Sequence, residues 1–281
     1  MSADTSEFDR LVQAWHTSVG DIQQVAETLT EAQWHQPTAC PGWCVADVVA
    51  HVIDAESMIA GEPRVEHVPD WGALPHVASD FGRMTEVGVD ARRGTSPATL
   101  LAELDRVVGL RVAQLAEGPR DLDAEVTAFT ASTLPLGRLL TMRTFDTWVH
   151  SQDIRDAVGQ PGGLGSPGAA VSADLMVTAL PRIWGKAAGA PVGAVLQVVI
   201  TGPVIERRVA IEVMPDGRAA LAWEADLDRS SPTVLLRGSW PAVAHLMTGR
   251  TQYREASPEE LHLTGDAELI ARLGPVLNIA P

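Results

Sequence analysis

The chain has 281 residues, enough for one large domain or two smaller ones with their own cores, so its size requires neither disulfides nor metal for folding. Its composition, 46% hydrophobic and 20% charged, is that of a globular protein, and a formal net charge of −15 argues against a nucleic-acid partner, which needs a basic surface. No apolar run approaches the roughly 18 to 20 residues that span a bilayer, and MSADTSEFDR lacks a basic region followed by an apolar core; a cytoplasmic protein without a membrane partner is expected.

The first periodic segment, residues 6–33, predicts a helix with Phe8, Leu11, Trp15, Val19, Ile22, Val25 and Leu29 on one face. After Pro41-Gly42-Trp43 a second helix is expected over 45–60, with His51 beside its apolar stripe. Residues 61–80, rich in proline, read as a loop able to cover a pocket. A helix over 79–91 follows, and Ser96-Pro97 opens another, with Leu100, Leu104, Val107, Val108, Val112 and Leu115 turned inward. No strand is expected in this part. Residues 136–158 form the last long helix. Met142, Phe145 and Val149 make one stripe, and Arg143, Asp146, His150, Asp153 and Ala157 make an adjacent polar one.

The cluster QPGGLGSPG (160–168) serves as a linker, and a helix over 169–187 comes next. The pattern then changes to short β-branched segments, VLQVVITG, RRVAIEVMPDG, AALAWEA and PTVLLRGS, followed by a helix over 240–248, a strand over 261–264 and a helix over 266–273. The expected architecture is α+β and multidomain. A helical bundle occupies 1–160, a linker and connecting helix 161–190, and an α+β domain with a largely antiparallel sheet 191–281.

The candidate chemistry lies in the helices. Asp146 and His150, four apart, project from one helical face and can grip one cation together, with His51 from another helix as third ligand. Cys40 and Cys44, spaced C-x3-C, match neither a redox nor a zinc motif and read as small packed residues; a reactive pair is the alternative, since Cys44 sits where a helix dipole lowers a thiol pKa. Trp43 and Trp148 read as core residues.

TACPGWCVADVVAHVIDAE and WVHSQDIRDAVG resemble the two signatures of the mycothiol-dependent maleylpyruvate isomerase family, a branch of the DinB/YfiT-like metalloproteins. TSPATLLAEL and the ending GDAELIARLGPVLNIAP have the look of its two-domain actinobacterial members. The resemblance implies a DinB-like four-helix bundle followed by a sterol-carrier-like α+β domain. It implies a divalent metal, usually zinc, held by His51, Asp146 and His150, with mycothiol as cofactor or co-substrate. Two departures stand out: Asp146 where the isomerase carries glutamate, and Cys44 where a helix-capping threonine or serine is usual. Asp153 and Arg155 match the second signature.

Two imidazoles, one carboxylate and an open position describe a catalytic zinc site. In the family a thiolate adds to a cis alkene conjugated to a carbonyl, rotation follows, and expulsion leaves the trans isomer; permanent conjugation would make a thiol S-transferase. A small anionic substrate calls for arginines, and Arg143 and Arg250 are the candidates, with Asp153 in a supporting or pocket role. A metal-dependent hydrolase and a non-catalytic metal-binding or regulatory module are the alternative readings.

Overall fold

The structure is a computed structural model that describes residues 6–129, 132–223 and 231–280. Met1 to Thr5, on which the reading of the N-terminus partly rests, and Glu224 and Ala225 of the predicted AALAWEA segment lie outside them. The chain divides into two units, Met1–Val171 and Ser172–Pro281.

The first unit is built on four long helices, α1 (Glu7–Ala26), α3 (Val45–Ile59), α5 (Pro97–Glu117) and α6 (Leu136–Val158), with α2 (Glu31–Trp34) and α4 (Asp80–Asp90) between them. Packing runs α1 on α6, α3 on α5, and across the bundle α1 on α5 and α3 on α6, while α4 covers α3. The predicted helix over 6–33 is interrupted: α1 stops at Ala26, and Thr30 starts α2, where Gln33 Oε1 accepts the Thr30 amide at 3.0 Å. Ser96 caps α5 by accepting the Thr99 amide, and Pro97 occupies its first turn.

Phe8, Leu11, Trp15, Ile22, Val48, Val52, Leu100, Leu104, Leu140 and Ile154 belong to one buried core. Each Leu, Ile or Val fully withdrawn from water contributes about 1.5–3 kcal/mol before chain entropy is set against it. Two side chains depart from the periodicity. Val112 is exposed and Arg111 is buried in its stead; Met142 on α6 is exposed while the polar stripe Arg143, His150 and Asp153 turns inward. Burial of charge over apolar surface is costly unless every charge is paired, so this inversion marks a site held together by ion pairs.

Between α5 and α6 a short hairpin, β1 (Glu125–Thr127) on β2 (Thr133–Pro135), supplies strands where none was expected. Three residues a side are too few for an alternation to show.

The second unit begins within α7 (Pro167–Arg182), which contains Pro181 and runs on as a π-helical turn, Ile183–Ala187. Its five-stranded sheet has the order β5-β4-β3-β6-β7, formed by β3 (Val195–Thr201), β4 (Arg207–Val213), β5 (Ala219–Trp223), β6 (Val234–Ser239) and β7 (Leu261–Gly265). All neighbours are antiparallel except β3 and β6. That parallel pair is joined through β4 and β5, while α8 (Trp240–Met247) and α9 (Ala267–Leu273) flank β7 in sequence. Leu196, Val198, Val209, Ile211, Val213, Val234 and Leu236 give this unit its own core.

Candidate metal centre

The segment before α3 is folded by backbone constraints. Pro37 and Cys44 form an isolated antiparallel bridge, Thr38 Oγ1 donates to the Trp43 carbonyl at 3.0 Å, and the Cys40 amide donates to Thr38 Oγ1 at 3.2 Å. Gly42 turns this loop at φ 77°, and a Cβ there would overlap the His76 ring. The turn delivers Cys40 and Trp43 to the neighbourhood of His51. At the start of α3 a capping box forms: the Cys44 amide donates to Asp47 Oδ2 at 2.9 Å, and the Asp47 backbone amide faces the Cys44 sulfur in return. Burial pushes the Cys44 thiol up, and the Asp47 carboxylate adds to it. The pKa shift thus runs against the alternative of a helix-activated thiol at Cys44.

α3 and α6 bring His51, Asp146 and His150 together. His51 Nε2 lies 3.4 Å from Asp146 Oδ2, His150 Nε2 lies 3.7 Å from Asp146 Oδ1, and the imidazole centroids are 4.8 Å apart, edge to face. Both histidines are buried, whereas the Asp146 side chain keeps 30% of its surface in solvent. One atom from each residue falls within 4.8 Å of the others. His51 Nε2 is buried and has no hydrogen-bond partner among the described residues. An inward nitrogen without a proton partner, a second imidazole and a half-open carboxylate fit a divalent cation with room for an exchangeable ligand.

The surroundings fix these donors. His150 Nδ1 donates to Asp153 Oδ2 at 2.9 Å, which leaves Nε2 for the centre. Arg143 Nη1 donates to Asp146 Oδ2 at 2.9 Å, and Arg143 Nε donates to Glu56 Oε1 at 3.0 Å. Glu56, fully buried on α3, also accepts from Trp15 Nε1 at 3.0 Å and from Arg111 Nε at 3.4 Å. The Arg143 guanidinium carbon stands 5.7 Å from the Phe129 ring centroid. Arg143, expected to meet a substrate carboxylate, is thus committed to two protein carboxylates, with only Nη2 lacking a partner among the described residues.

Electrostatics separate the two histidines. Burial lowers the pKa of His51, and the nearby charges of His150 and Arg143 add to that against the pull of Asp146. Burial also opposes charge on His150, yet Asp146 and the hydrogen bond to Asp153 outweigh it, and its pKa is pushed up to about 10. Asp146 loses some ground to burial, but Arg143 and the two imidazoles hold it well below the usual carboxylate range. The metal-free centre is a neutral His51 facing an Asp146–His150 ion pair.

Trp43 packs at the edge of the core and also walls the centre. Its ring lies 5.1 Å from His51 and 6.2 Å from His150, and its Nε1 donates to Glu86 Oε2 at 2.8 Å. Trp148 is a core residue, its Nε1 donating to the Gly163 carbonyl at 3.2 Å. Arg250 belongs to the second unit, where its Nη1 donates to the Thr248 carbonyl at 2.6 Å. Elsewhere in the first unit a cleft of about 310 Å³ is lined by Asp54, Glu62 and Glu103 with Arg64, Arg92 and Arg106, which pair among themselves.

Glu56, Trp43 and Cys40 are the site residues that periodicity did not single out. Glu56 carried one signal, an acid set in the otherwise apolar face of α3; Cys40 stood out only as part of the TACPGWC segment.

The sequence pattern of the mycothiol maleylpyruvate isomerase N-terminal domain matches residues 15–155, half of the chain. The chain belongs to that family. Two uncharacterized proteins from two strains of Mycobacterium tuberculosis, MT0041 and Rv0036c, are each 22% identical over 139 residues, which is 50% of this chain and 52% of theirs. The chain thus spans about half the length of the curated relatives it matches. Among solved structures, the mycothiol-dependent maleylpyruvate isomerase aligns at 17% identity over 90% of this chain and 95% of its own, with a TM-score of 0.52; a histidine-to-alanine mutant of it gives 0.54 over the same shares. At that identity the likeness establishes a common fold across both units.

Proposed function

We propose that the protein is a divalent-metal enzyme, with zinc as the metal, that uses mycothiol or a similar low-molecular-weight thiol to isomerise a maleylpyruvate-like acid or to transfer the thiol to it. The observation that carries this reading is the buried His51 Nε2, which makes no hydrogen bond among the described residues, facing Asp146 and His150, in a chain of the mycothiol maleylpyruvate isomerase family.

His51, Asp146 and His150 would hold the cation. When bound, the metal supplies a Lewis acid that favours the thiolate form of a thiol at neutral pH. The protein's own groups do the rest. Asp153 keeps the proton of His150 on Nδ1, and Arg143 aims Asp146 while Glu56 anchors Arg143. Trp43 closes one side and limits water access to the imidazoles. Addition of the thiolate to a cis alkene conjugated to a carbonyl, rotation about the new single bond and expulsion of the same thiolate balance without another reagent.

The test is turnover of a cis-enedioyl acid by the metal-loaded protein, followed by proton NMR with and without mycothiol. Thiol-dependent trans product, or a stable thioether, supports the reading. Hydrolytic turnover without thiol would establish the hydrolase alternative, and metal retention with neither reaction nor thiol binding the regulatory one.

A further inference from the structure

Cys40 lies outside the proposed ligand set, yet its sulfur is next to the group that supports a ligand. Cys40 Sγ is 3.3 Å from Asp153 Oδ2, the same oxygen that accepts His150 Nδ1–H at 2.9 Å, and 4.0 Å from His150 Nδ1 itself. Asp153 is buried, with 2% of its side chain exposed, so this oxygen depends on protein donors. An S···O contact of this length with a carboxylate is attractive only if the thiol carries its proton. The arrangement is Cys40 Sγ–H to Asp153 Oδ2, and His150 Nδ1–H to the same oxygen, with His150 Nε2 turned to Asp146.

We propose that Cys40 is a positioning residue for the metal ligand His150, acting through Asp153: its thiol donates to the carboxylate that fixes the histidine tautomer and ring plane. This inference rests on the metal-centre reading above. Two donors on one oxygen define where Asp153 sits better than one does. A carboxylate held this way leaves Nε2 as the ligating atom and resists the ring flip that would present Nδ1.

The experiment compares wild type, Cys40→Ala, Cys40→Ser and Asp153→Asn by competitive zinc titration, by the visible spectrum of the cobalt(II)-substituted proteins, and by the imidazole proton resonances of the metal-free proteins, with circular dichroism as the control for folding. Asp153→Asn should weaken zinc binding by about 10- to 100-fold. Cys40→Ala should weaken it by about 3- to 10-fold, the effect of one hydrogen bond, and shift the His150 Nδ1–H resonance; Cys40→Ser, whose hydroxyl can donate in its place, should recover most of the loss. Unchanged affinity and resonance in Cys40→Ala overturn the proposal. So does an intense sulfur-to-cobalt charge-transfer band in wild type without added thiol, which would make Cys40 a ligand, and so does a Cys40→Ser variant as weak as Cys40→Ala. Absence of zinc binding in wild type would instead sink the metal-centre reading, and the metal-free resonances would still test the Cys40–Asp153–His150 link.

Discussion

The proton on His150 decides how the centre meets a metal. Its pKa is pushed up to about 10 in the metal-free protein, against roughly 6.5 for a free imidazole, so near neutral pH a cation must displace that proton. Apparent metal affinity should therefore rise steadily from pH 6 to pH 9, with about one proton released per metal bound. Calorimetry in buffers of differing ionisation enthalpy measures that proton; release of none would contradict the assignment. For the metal-free protein the sign is opposite. A raised histidine pKa gives stability that is fully present below about 6.5 and is lost as pH climbs through about 10, so urea midpoints of chelated protein should fall over that window. The pair Asp146/His150 was legible as a spacing, and in the structure Arg143 Nη1 holds Asp146 Oδ2 at 2.9 Å, with the two imidazoles 3.4 and 3.7 Å from the carboxylate. Glu56 and Cys40 were not legible, because their partners Arg143, Trp15, Arg111 and Asp153 are 41 to 113 residues away in sequence.

At the level of elements, α3 and α6 are locked by a buried network rather than by apolar contact alone. Glu56 binds Arg143 of α6, Arg111 of α5 and Trp15 of α1, so one α3 side chain touches all three other bundle helices. Glu56→Ala leaves the buried Arg111 guanidinium without its carboxylate and Arg143 with Asp146 alone, and should cost about 3–5 kcal/mol, read as a drop in the urea midpoint at unchanged slope. The loss should be accompanied by weaker metal binding, since Arg143 then lacks its anchor. A second prediction concerns how α4 sits on α3. A Cβ at Gly88 would overlap the Asp54 carboxylate, which Arg64 and Arg92 hold, so Gly88→Ala should destabilise by about 1–3 kcal/mol despite the better helix propensity of alanine. A stabilised Gly88→Ala variant would show that α4 slides freely. Helices bounded by turn residues, such as α5 after Ser96-Pro97 and α6 between Pro135 and Gly159, could be read from sequence almost to their ends. The gap between α1 and α2 and the β1–β2 hairpin could not, since each depends on one turn of local geometry.

Over the whole molecule, the change from helical to β-branched patterning near residue 190 foretold an α+β chain, and the order β5-β4-β3-β6-β7 with a single parallel pair supplies what strand patterns cannot, the pairing itself. The bundle core is an apolar cluster that includes none of His51, Asp146 and His150, so removal of metal should leave the helical circular dichroism intact. Thermal unfolding of the chelated protein should then shift downward by only a few degrees, as mass action on a bound ligand predicts. Loss of helicity on chelation would make the metal a structural one. The decisive measurement is metal content by mass spectrometry for the purified protein beside His51→Ala and Asp146→Ala. Close to one zinc per chain is expected in the wild type and a small fraction of that in each variant; full retention of metal by both variants would rule out the His51–Asp146–His150 centre.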